Sequence, residues 1–259
     1  MFQKVRIRLT LLCSGIITLL IIIMSFLYLR ISENNLYRNQ FYSFQNDSNT
    51  IIINLLKLLF GFPAPILLAI MLNAVKMKGL KNTVQTIVYL PHFVSWVVVA
   101  GLLFSMLDGR SAPIYLLFDS MGIQLNIFGD GTQFLAMLVL SDIWKEVGWG
   151  AIIYLAALSG ISPEYYEAAR LDGANSVKQF WYITLPMLLP TITIMLILQV
   201  GNLMTVGFEK AFLMQNPLNL ETSEIISTFV YKMGLNYRQY SYSTAIGLFN
   251  SVINMILLV

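Results

Sequence analysis

Four long stretches of this chain contain no Asp, Glu, Lys or Arg, and this spacing of charges restricts the fold more than any other feature. The charge-free runs cover 9–29, 82–107, 179–208 and 239–259, and they are 21, 26, 30 and 21 residues long. About 20 consecutive apolar residues are enough for a helix to cross the hydrocarbon core of a bilayer. Each run can therefore supply one membrane-spanning helix.

The composition points to the same class of protein. Apolar residues make up 57% of the chain and charged residues 11%, whereas soluble domains carry about 25% charged residues. A net charge of +3 gives no basic patch for nucleic acid. A single cysteine, Cys13, excludes an intramolecular disulfide, and a single histidine, His92, excludes a histidine metal cluster. The sequence indicates an integral membrane protein that binds neither nucleic acid nor a metal.

Two further segments supply spans although they contain charges. Residues 51–73 include one lysine and residues 132–160 include three charged residues, but the rest of each segment is apolar. Counting both gives six spans. The sequence therefore predicts an all-α polytopic membrane protein, with 1–50 forming the first transmembrane helix and an external loop and 51–259 forming the transmembrane domain.

The basic residues before the first run also fit a secretory signal peptide. A run of 21 residues is long for the hydrophobic region of such a peptide, and Tyr28-Leu29-Arg30 offers no small-residue cleavage site. We therefore expect the first run to be retained as a membrane helix.

Lysine and arginine in the short connections predict the orientation, because cytoplasmic connections carry more of them. With the N-terminus in the cytoplasm, the inside segments are 1–8, 74–82 and 161–182, and the outside segments are 30–50, 108–131 and 209–238. The inside segments hold 8 basic residues in 39 positions and the outside segments hold 6 in 75. We expect a multi-pass protein of the cytoplasmic membrane with both termini in the cytoplasm.

Four residues of the fourth span fall at i, i+3, i+4 and i+7, which places them on one face of a helix. They are Asp142, Lys145, Glu146 and Trp149. Ionisable groups inside a bilayer are costly and mark functional candidates. We expect Lys145 to pair with Asp142, which leaves Glu146 to find another partner. Two interpretations stay open: the face lines a hydrated translocation path, or the helix breaks near Gly148 and Gly150 and its charges lie at water or link helices.

Two amide side chains form a second polar face in the fifth span. Gln199 and Asn202 share helical spacing with Val206 and Glu209. Amides offer donors and acceptors without a desolvated charge, so they can line a path for a sugar or a peptide. They also link neighbouring helices, and both roles stay open.

Two other polar positions lie near the ends of spans. Lys57 forms a third polar face with Asn54, and because Lys57 is about two turns from the outer boundary, we expect its ammonium group to extend outward. His92 follows Pro91 at the start of the third span, and we expect it to cap that helix or anchor it at the interface.

The connection between the fourth and fifth spans contains signals for two short helices. Ser162 is a good N-cap and Pro163 suits the first helical position, so a helix should run to about Leu171. Asp172-Gly173 then turns the chain, and a second helix can start after Asn175. The residues alone leave two interpretations open: a docking surface for another protein, or an amphipathic loop on the membrane surface.

A set of residues at fixed spacings follows in this connection: Glu167-Ala168-Ala169, Asp172-Gly173-Ala174, Phe180, Ile183, Leu185-Pro186 and Pro190. With these residues the connection resembles the EAA loop of binding-protein-dependent ABC importer permeases. The segments 89–96 and 144–150 are similar to the carbohydrate branch related to the maltose permeases. Within that branch the chain as a whole resembles the LplB-type permeases. The resemblance covers roughly residues 50–259.

The resemblance implies a transport subunit without catalytic residues. In that family two membrane subunits, here expected to be a heterodimer, each sit on a nucleotide-binding ATPase, and an extracytoplasmic solute-binding protein delivers the carbohydrate. The resemblance places one set of residues in the loop that enters a cleft of the ATPase: Glu167, Ala168, Ala169, Asp172, Gly173 and Ala174. ATP is expected on the partner subunit and no cofactor on this chain, which has no Gly-rich phosphate loop ending in Lys-Ser or Lys-Thr.

Two other classes of function compete with an ATP-driven permease. An ATP-independent channel or secondary transporter would use the charged face of the fourth span as an ion or proton relay, but the chain shows no convincing internal repeat. A membrane-embedded enzyme would need a convergent set of catalytic groups, and one histidine and one cysteine give it little support.

Overall fold

The computed structural model describes residues 37–75 and 77–258, with side chains from residue 46 onward. The described part of the chain is helical and contains no strand. The predicted first helix at 9–29 lies outside the described residues.

The chain divides into two units, Met1–Asn46 and Asp47–Val259. Of the first unit the structure describes only residues 37–46, which begin a helix. All of the contacts considered below lie within the second unit.

Thirteen α-helices follow one another in the described residues. They are α1 (Tyr37–Leu56), α2 (Pro63–Ala74), α3 (Lys78–Tyr89), α4 (Trp96–Leu107), α5 (Pro113–Ser120), α6 (Gly131–Ser159), α7 (Pro163–Leu171), α8 (Ser176–Gln179), α9 (Leu185–Gly201), α10 (Phe208–Met214), α11 (Leu220–Ser223), α12 (Ile226–Tyr231) and α13 (Tyr240–Leu258). Three π-helical turns, at Lys57–Gly61, Phe180–Thr184 and Lys232–Asn236, and a 3₁₀ turn at Leu90–Phe93 join some of them.

Three continuous helical stretches of the described residues are long and apolar enough to cross a membrane. They are Asn46–Ala74 with 29 residues, Ser176–Gly201 with 26 and Tyr240–Leu258 with 19. A fourth candidate is the pair Lys78–Phe93 and Trp96–Leu107, whose axes are bent by 99°. The predicted count of six spans stays a prediction.

The charge-free run 82–107 forms two helices joined at a sharp bend, and its assignment as one span stays a prediction. Pro91 carries no N–H group to continue a helix, and the backbone at Val94 is extended. Ser95 then starts α4 as its N-cap, where its Oγ accepts a hydrogen bond from the Val98 N–H at 3.4 Å. The chain therefore turns sharply inside an apolar stretch.

Helix α6 passes through the centre of the unit and corresponds to the predicted fourth span. Its C-terminal half packs against α2 and α9 in a core that includes Ala69, Ala151 and Leu188. Its N-terminal half packs in a second core, which includes Ile53 of α1 and Met214 of α10. One helix thus contacts the elements on which most of the polar residues lie.

The interpretation in which this helix breaks near Gly148 and Gly150 is wrong, because α6 continues from Gly131 to Ser159. Both glycines instead permit close packing. A Cβ at Gly148 would overlap the backbone carbonyl of Val88 in α3, and one at Gly150 would lie 3.0 Å from the ring of Pro65 in α2. The missing side chains let two neighbouring elements approach the backbone of α6.

Replacement of Gly148 by alanine is expected to lower the free energy of unfolding by about 1–3 kcal/mol, the usual cost of overpacking. The added methyl group meets backbone atoms of Val88, which cannot rotate aside. The midpoint of thermal unfolding of the purified protein in detergent measures the effect. Gly247→Ala is the control, since this helical glycine has open space around it. Equal midpoints for the two variants would contradict the packing argument.

Candidate translocation site and coupling loop

Asp142 lies at the centre of a buried ion cluster. Its Oδ2 is 2.9 Å from Lys57 Nζ and its Oδ1 is 2.7 Å from Lys210 Nζ. The Asp142 side chain is 13% exposed and that of Lys210 is 1% exposed. One carboxylate therefore joins α6 to the turn after α1 and to α10. The predicted Asp142–Lys145 pair is wrong, and Lys57 points to Asp142 instead of extending outward.

Lys145 stabilises the break between α3 and α4. Its Nζ donates a hydrogen bond to the backbone carbonyl of His92 at 2.6 Å and lies 3.4 Å from Glu146 Oε1. The His92 carbonyl belongs to the 3₁₀ turn that ends the first half of the bent pair, and such terminal carbonyls need a donor from outside the helix. The ammonium groups of Lys145 and Lys210 both lie 5.5 Å from the centroid of Trp96, a cation–π geometry.

The exposed end of the α6 face combines a carboxylate with aromatic rings. Glu146 Oε2 is 2.8 Å from His92 Nδ1. The His92 ring stacks on Trp149 with centroids 4.5 Å apart and planes 3° apart, and Phe93 meets Trp149 edge to face at 5.8 Å. The Glu146 side chain is 43% exposed and Trp149 is 47% exposed. His92, expected as a cap or an interfacial anchor, is thus a member of this group.

These residues form what we call the charged cluster: Lys57, His92, Asp142, Lys145, Glu146 and Lys210. Its three lysines face two carboxylates, so these five groups carry one excess positive charge. The two interpretations of the α6 face apply to different residues. Asp142 and Lys145 are buried and link helices, whereas Glu146 and Trp149 reach an accessible surface.

The predicted helical face of the fifth span does not form. Helix α9 ends at Gly201, Asn202 follows it in a turn, and Glu209 belongs to the separate helix α10. Asn202 is exposed and its Nδ2 donates to the Leu198 carbonyl of its own helix at 3.0 Å. In the described residues neither Gln199 nor Asn202 forms a hydrogen bond or an ion pair with the charged cluster.

The sequence analysis did not identify several polar residues near the connection between α9 and α10, residues 202–207. Asn250 and Asn254 of α13 contact Met204, and Lys210 reaches Asp142. One signal was available for the asparagines, because they lie at i and i+4 in an otherwise apolar helix and therefore share a face. Lys210 gave no comparable signal, since it lies in a segment counted as an external loop.

The connection between α6 and α9 folds as its local signals predict. Ser162 Oγ accepts from the Glu164 N–H at 3.4 Å, and α7 runs from Pro163 to Leu171. Gly173 turns the chain with φ +77°, a backbone conformation that residues other than glycine rarely adopt. The Ala174 N–H returns to the Ala169 carbonyl at 2.8 Å, which closes the turn.

The resulting coupling loop, made of α7, α8 and the turn between them, is firmly joined to the helix that follows. Tyr166 Oη and Thr184 Oγ1 are 3.1 Å apart, and Gln179 Nε2 donates to the Ala174 carbonyl at 3.0 Å. Glu167, Ala168, Asp172 and Gly173 are exposed, while Ala169 and Ala174 are half-buried. Leu171 is 91% exposed. The loop exposes both apolar and charged groups on its surface.

Comparison with known proteins identifies the family. Residues 61–259 match the family described as binding-protein-dependent transport system inner membrane component. The chain is 44% identical over 211 residues to Protein LplB of Bacillus subtilis (strain 168). The matched region covers 81% of this chain and 66% of LplB. It is 43% identical over 211 residues to the polygalacturonan/rhamnogalacturonan transport system permease protein YteP of the same organism, with 81% and 65% covered. The chain spans just under two thirds of the length of both relatives.

Solved structures give the same assignment. A chain of a bacterial alginate ABC transporter, crystallised with an alginate pentasaccharide-bound periplasmic protein, matches with a TM-score of 0.80 and 40% identity, covering 83% of this chain and 75% of that one. A chain of a bacterial ABC transporter involved in the import of the acidic polysaccharide alginate matches with a TM-score of 0.81 and 37% identity, covering 91% and 85%. The resemblance stated from the loop residues is confirmed.

Proposed function

We propose, from the premise that this chain belongs to the binding-protein-dependent transport system inner membrane components, that it forms half of the path through which an ATP-driven importer moves an oligosaccharide. The observation that carries the proposal is the coupling loop, an exposed projection between α6 and α9. A channel or a secondary transporter would have no use for such a projection, and the ATP-independent alternative is not favoured.

The proposed partners follow from this role. A separate ATPase subunit binds ATP and receives the coupling loop at Glu167, Ala168, Ala169, Asp172, Gly173 and Ala174. A second permease subunit supplies the other half of the path as a heterodimer, and an extracytoplasmic solute-binding protein delivers the oligosaccharide. Both termini lie in the cytoplasm, the side from which the ATPase docks.

Movement of the loop reaches the membrane helices through short contacts. The Tyr166–Thr184 hydrogen bond joins α7 to the π-helical turn that leads into α9. Because α7 is also continuous with α6 through Gly160 and Ile161, closure of the ATPase displaces α6 and α9 together. Two alternative packings of these helices would open the path to either side by a population shift.

The proposed path includes Asp142, Lys145, Glu146, Trp149, Gln199 and Asn202, with different roles. Glu146 and Trp149 are the accessible members of the α6 face. The carboxylate can accept hydrogen bonds from sugar hydroxyls, and the indole ring offers an apolar face to the sugar ring. Asp142 and Lys145 hold the helices around this surface, and Asn202 presents an exposed amide at the end of α9.

The excess positive charge favours an oligosaccharide that carries carboxylates. An uncompensated charge within a membrane protein is costly, and a uronate passing the charged cluster would compensate it. The relatives point the same way, since one is named for polygalacturonan and rhamnogalacturonan transport and another imports the acidic polysaccharide alginate. We propose an acidic oligosaccharide as the substrate class.

Removal of one lysine is expected to weaken the preference for acidic sugars. Lys210→Met leaves Asp142 paired with Lys57 and removes the excess charge. In proteoliposomes that contain the complete transporter and its binding protein, uptake of an oligouronide should fall about tenfold, the effect of about 1.4 kcal/mol, while uptake of its methyl ester should stay unchanged. The control is Lys78→Met, an exposed lysine of α3. An equal loss for both sugars would refute the charge argument, and uptake that needs no ATP would refute the importer.

A further inference from the structure

The connection between α9 and α10, residues 202–207, is a non-helical segment held at membrane depth. Its partners lie on helical stretches that are apolar enough to span the bilayer: Asn54 in Asn46–Ala74, and Asn250 and Asn254 in Tyr240–Leu258. Backbone groups at such depth need protein partners, because the hydrocarbon offers none.

Three asparagine side chains supply those partners, and we call them the asparagine clamp. Asn54 Nδ2 donates to the Leu203 carbonyl at 2.5 Å. The Met204 N–H donates to Asn254 Oδ1 at 3.3 Å, and Asn250 Nδ2 donates to the Met204 carbonyl at 3.4 Å. Amides from two separate helices therefore fix consecutive peptide groups of one connection.

The clamp also fixes the hydroxyl group of Thr205. Asn254 Nδ2 donates to Thr205 Oγ1 at 3.0 Å. A threonine hydroxyl has one proton to donate and two lone pairs to accept. Since the asparagine occupies a lone pair, the proton of this exposed hydroxyl stays available to an acceptor outside the protein.

Thr205 differs in this respect from three exposed hydroxyl groups on the spanning helices. Thr193, Thr244 and Ser251 each donate to the backbone carbonyl four residues earlier in their own helix, at 2.8 to 2.9 Å. Those protons are used within the protein, which suits a surface that faces lipid. Thr205 lies only five residues before Lys210, whose ammonium group pairs with Asp142. Thr205 thus belongs to the connection that leads into α10, the helix that carries Lys210 of the charged cluster.

We propose that Thr205 is a substrate-contacting residue of the translocation path, donating a hydrogen bond to a hydroxyl or ring oxygen of the sugar, and that Asn54 and Asn254 are its positioning residues. The inference rests on the proposed import of an oligosaccharide. Asn254 acts on the hydroxyl itself and Asn54 acts on the backbone two residues before it.

The test uses the complete transporter in proteoliposomes with saturating sugar-loaded binding protein. Thr205→Val removes the hydroxyl at nearly constant volume and should lower the uptake rate per assembled transporter by about two- to tenfold, the effect of one hydrogen bond. Thr205→Ser keeps the hydroxyl and should keep the rate. Asn254→Leu should lower the rate to a similar extent, and Thr205→Val in the Asn254→Leu background should cause no further loss, because both changes remove the same contact.

Controls separate contact with substrate from a general structural role. Thr193→Val changes an exposed threonine whose hydroxyl group already donates to the Leu189 carbonyl. Uptake by this variant should match that of the unmodified protein. ATPase activity without binding protein should be the same in Thr193→Val and in the unmodified transporter. Normal uptake by Thr205→Val, a loss in Thr205→Ser as large as in Thr205→Val, or additive losses in the double variant would each overturn the inference. Absence of oligosaccharide uptake by the unmodified transporter would instead overturn the proposed function.

Discussion

Charge reversal at Glu167 should reduce ATP-driven uptake about a hundredfold and separate the ATPase from the membrane subunit. The Glu167 carboxylate is exposed on α7, and α7 cannot move away from an unfavourable contact because Tyr166 fixes it to Thr184. A residue central to an interface contributes about 2–4 kcal/mol to binding, which corresponds to the expected loss. Co-purification of the ATPase with Glu167→Lys and uptake in proteoliposomes measure the two effects.

The control is the same charge reversal at a carboxylate outside the coupling loop. Asp119 is an exposed carboxylate on α5, in a connection predicted to lie outside the cell, so Asp119→Lys makes the same change in net charge away from the ATPase. Normal co-purification and uptake are expected for this variant. If Glu167→Lys also kept both, the assignment of α7 as the docking element would be wrong.

Loss of the Asp142 carboxylate should destabilise the fold more than any other single change in the described core. Asp142→Asn leaves the ammonium groups of Lys57 and Lys210 without their anion, while the side-chain volume is preserved. Removing one partner from a buried ion pair typically costs about 3–5 kcal/mol. We expect little assembled transporter and a much lower midpoint of thermal unfolding.

A compensated variant distinguishes ion pairing from a specific need for aspartate. Asp142→Leu combined with Lys57→Met and Lys210→Met replaces all three charges by apolar groups of similar size, and such replacements are often neutral for stability. The triple variant should recover most of the thermal midpoint and lose the preference for acidic sugars. A midpoint as low as that of Asp142→Asn would show that unpaired lysines are not the cause.

The sequence predicts the parts of this structure that local signals control. Ser162, Pro163 and Gly173 each act within a few residues, so the bounds of α7 and its turn follow directly from the chain. The long apolar runs likewise predict helices, because a helix satisfies all its backbone groups inside a bilayer and needs about 20 residues to cross it. The family also followed from the sequence, since several motif residues at fixed spacing carry it.

The partners of the charged residues could not be predicted from spacing. Asp142 and Lys145 are three positions apart in one helix, a distance that permits pairing, yet each finds a stronger partner in another element. Lys57 and Lys210 lie far from Asp142 along the chain, and no pattern in the sequence reports which helices meet. The end of α9 at Gly201 was hidden for a related reason, because asparagines of two other helices stabilise the non-helical connection.

The π-helical turn at Lys57–Gly61 lets one continuous strip of residues follow α6. The residues of this strip are spaced four apart along the chain. Lys57 pairs with Asp142, Gly61 faces Ile143, Pro65 meets Gly150, and Ala69 packs in the core around Ala151. An α-helix has 3.6 residues per turn, so three steps of four residues would rotate the strip by about 120° away from α6.

One extra residue in a wider turn removes about 100° of that rotation, since each residue of an α-helix turns the chain by about this angle. The ion pair at Lys57 and the apolar contact at Ala69 can then face the same partner helix. Shortening Lys57–Gly61 by a single residue would therefore turn one of these two surfaces away from α6 and toward the lipid. Either the ion pair at Lys57 or the apolar contact at Ala69 could form, but the two contacts could not form together.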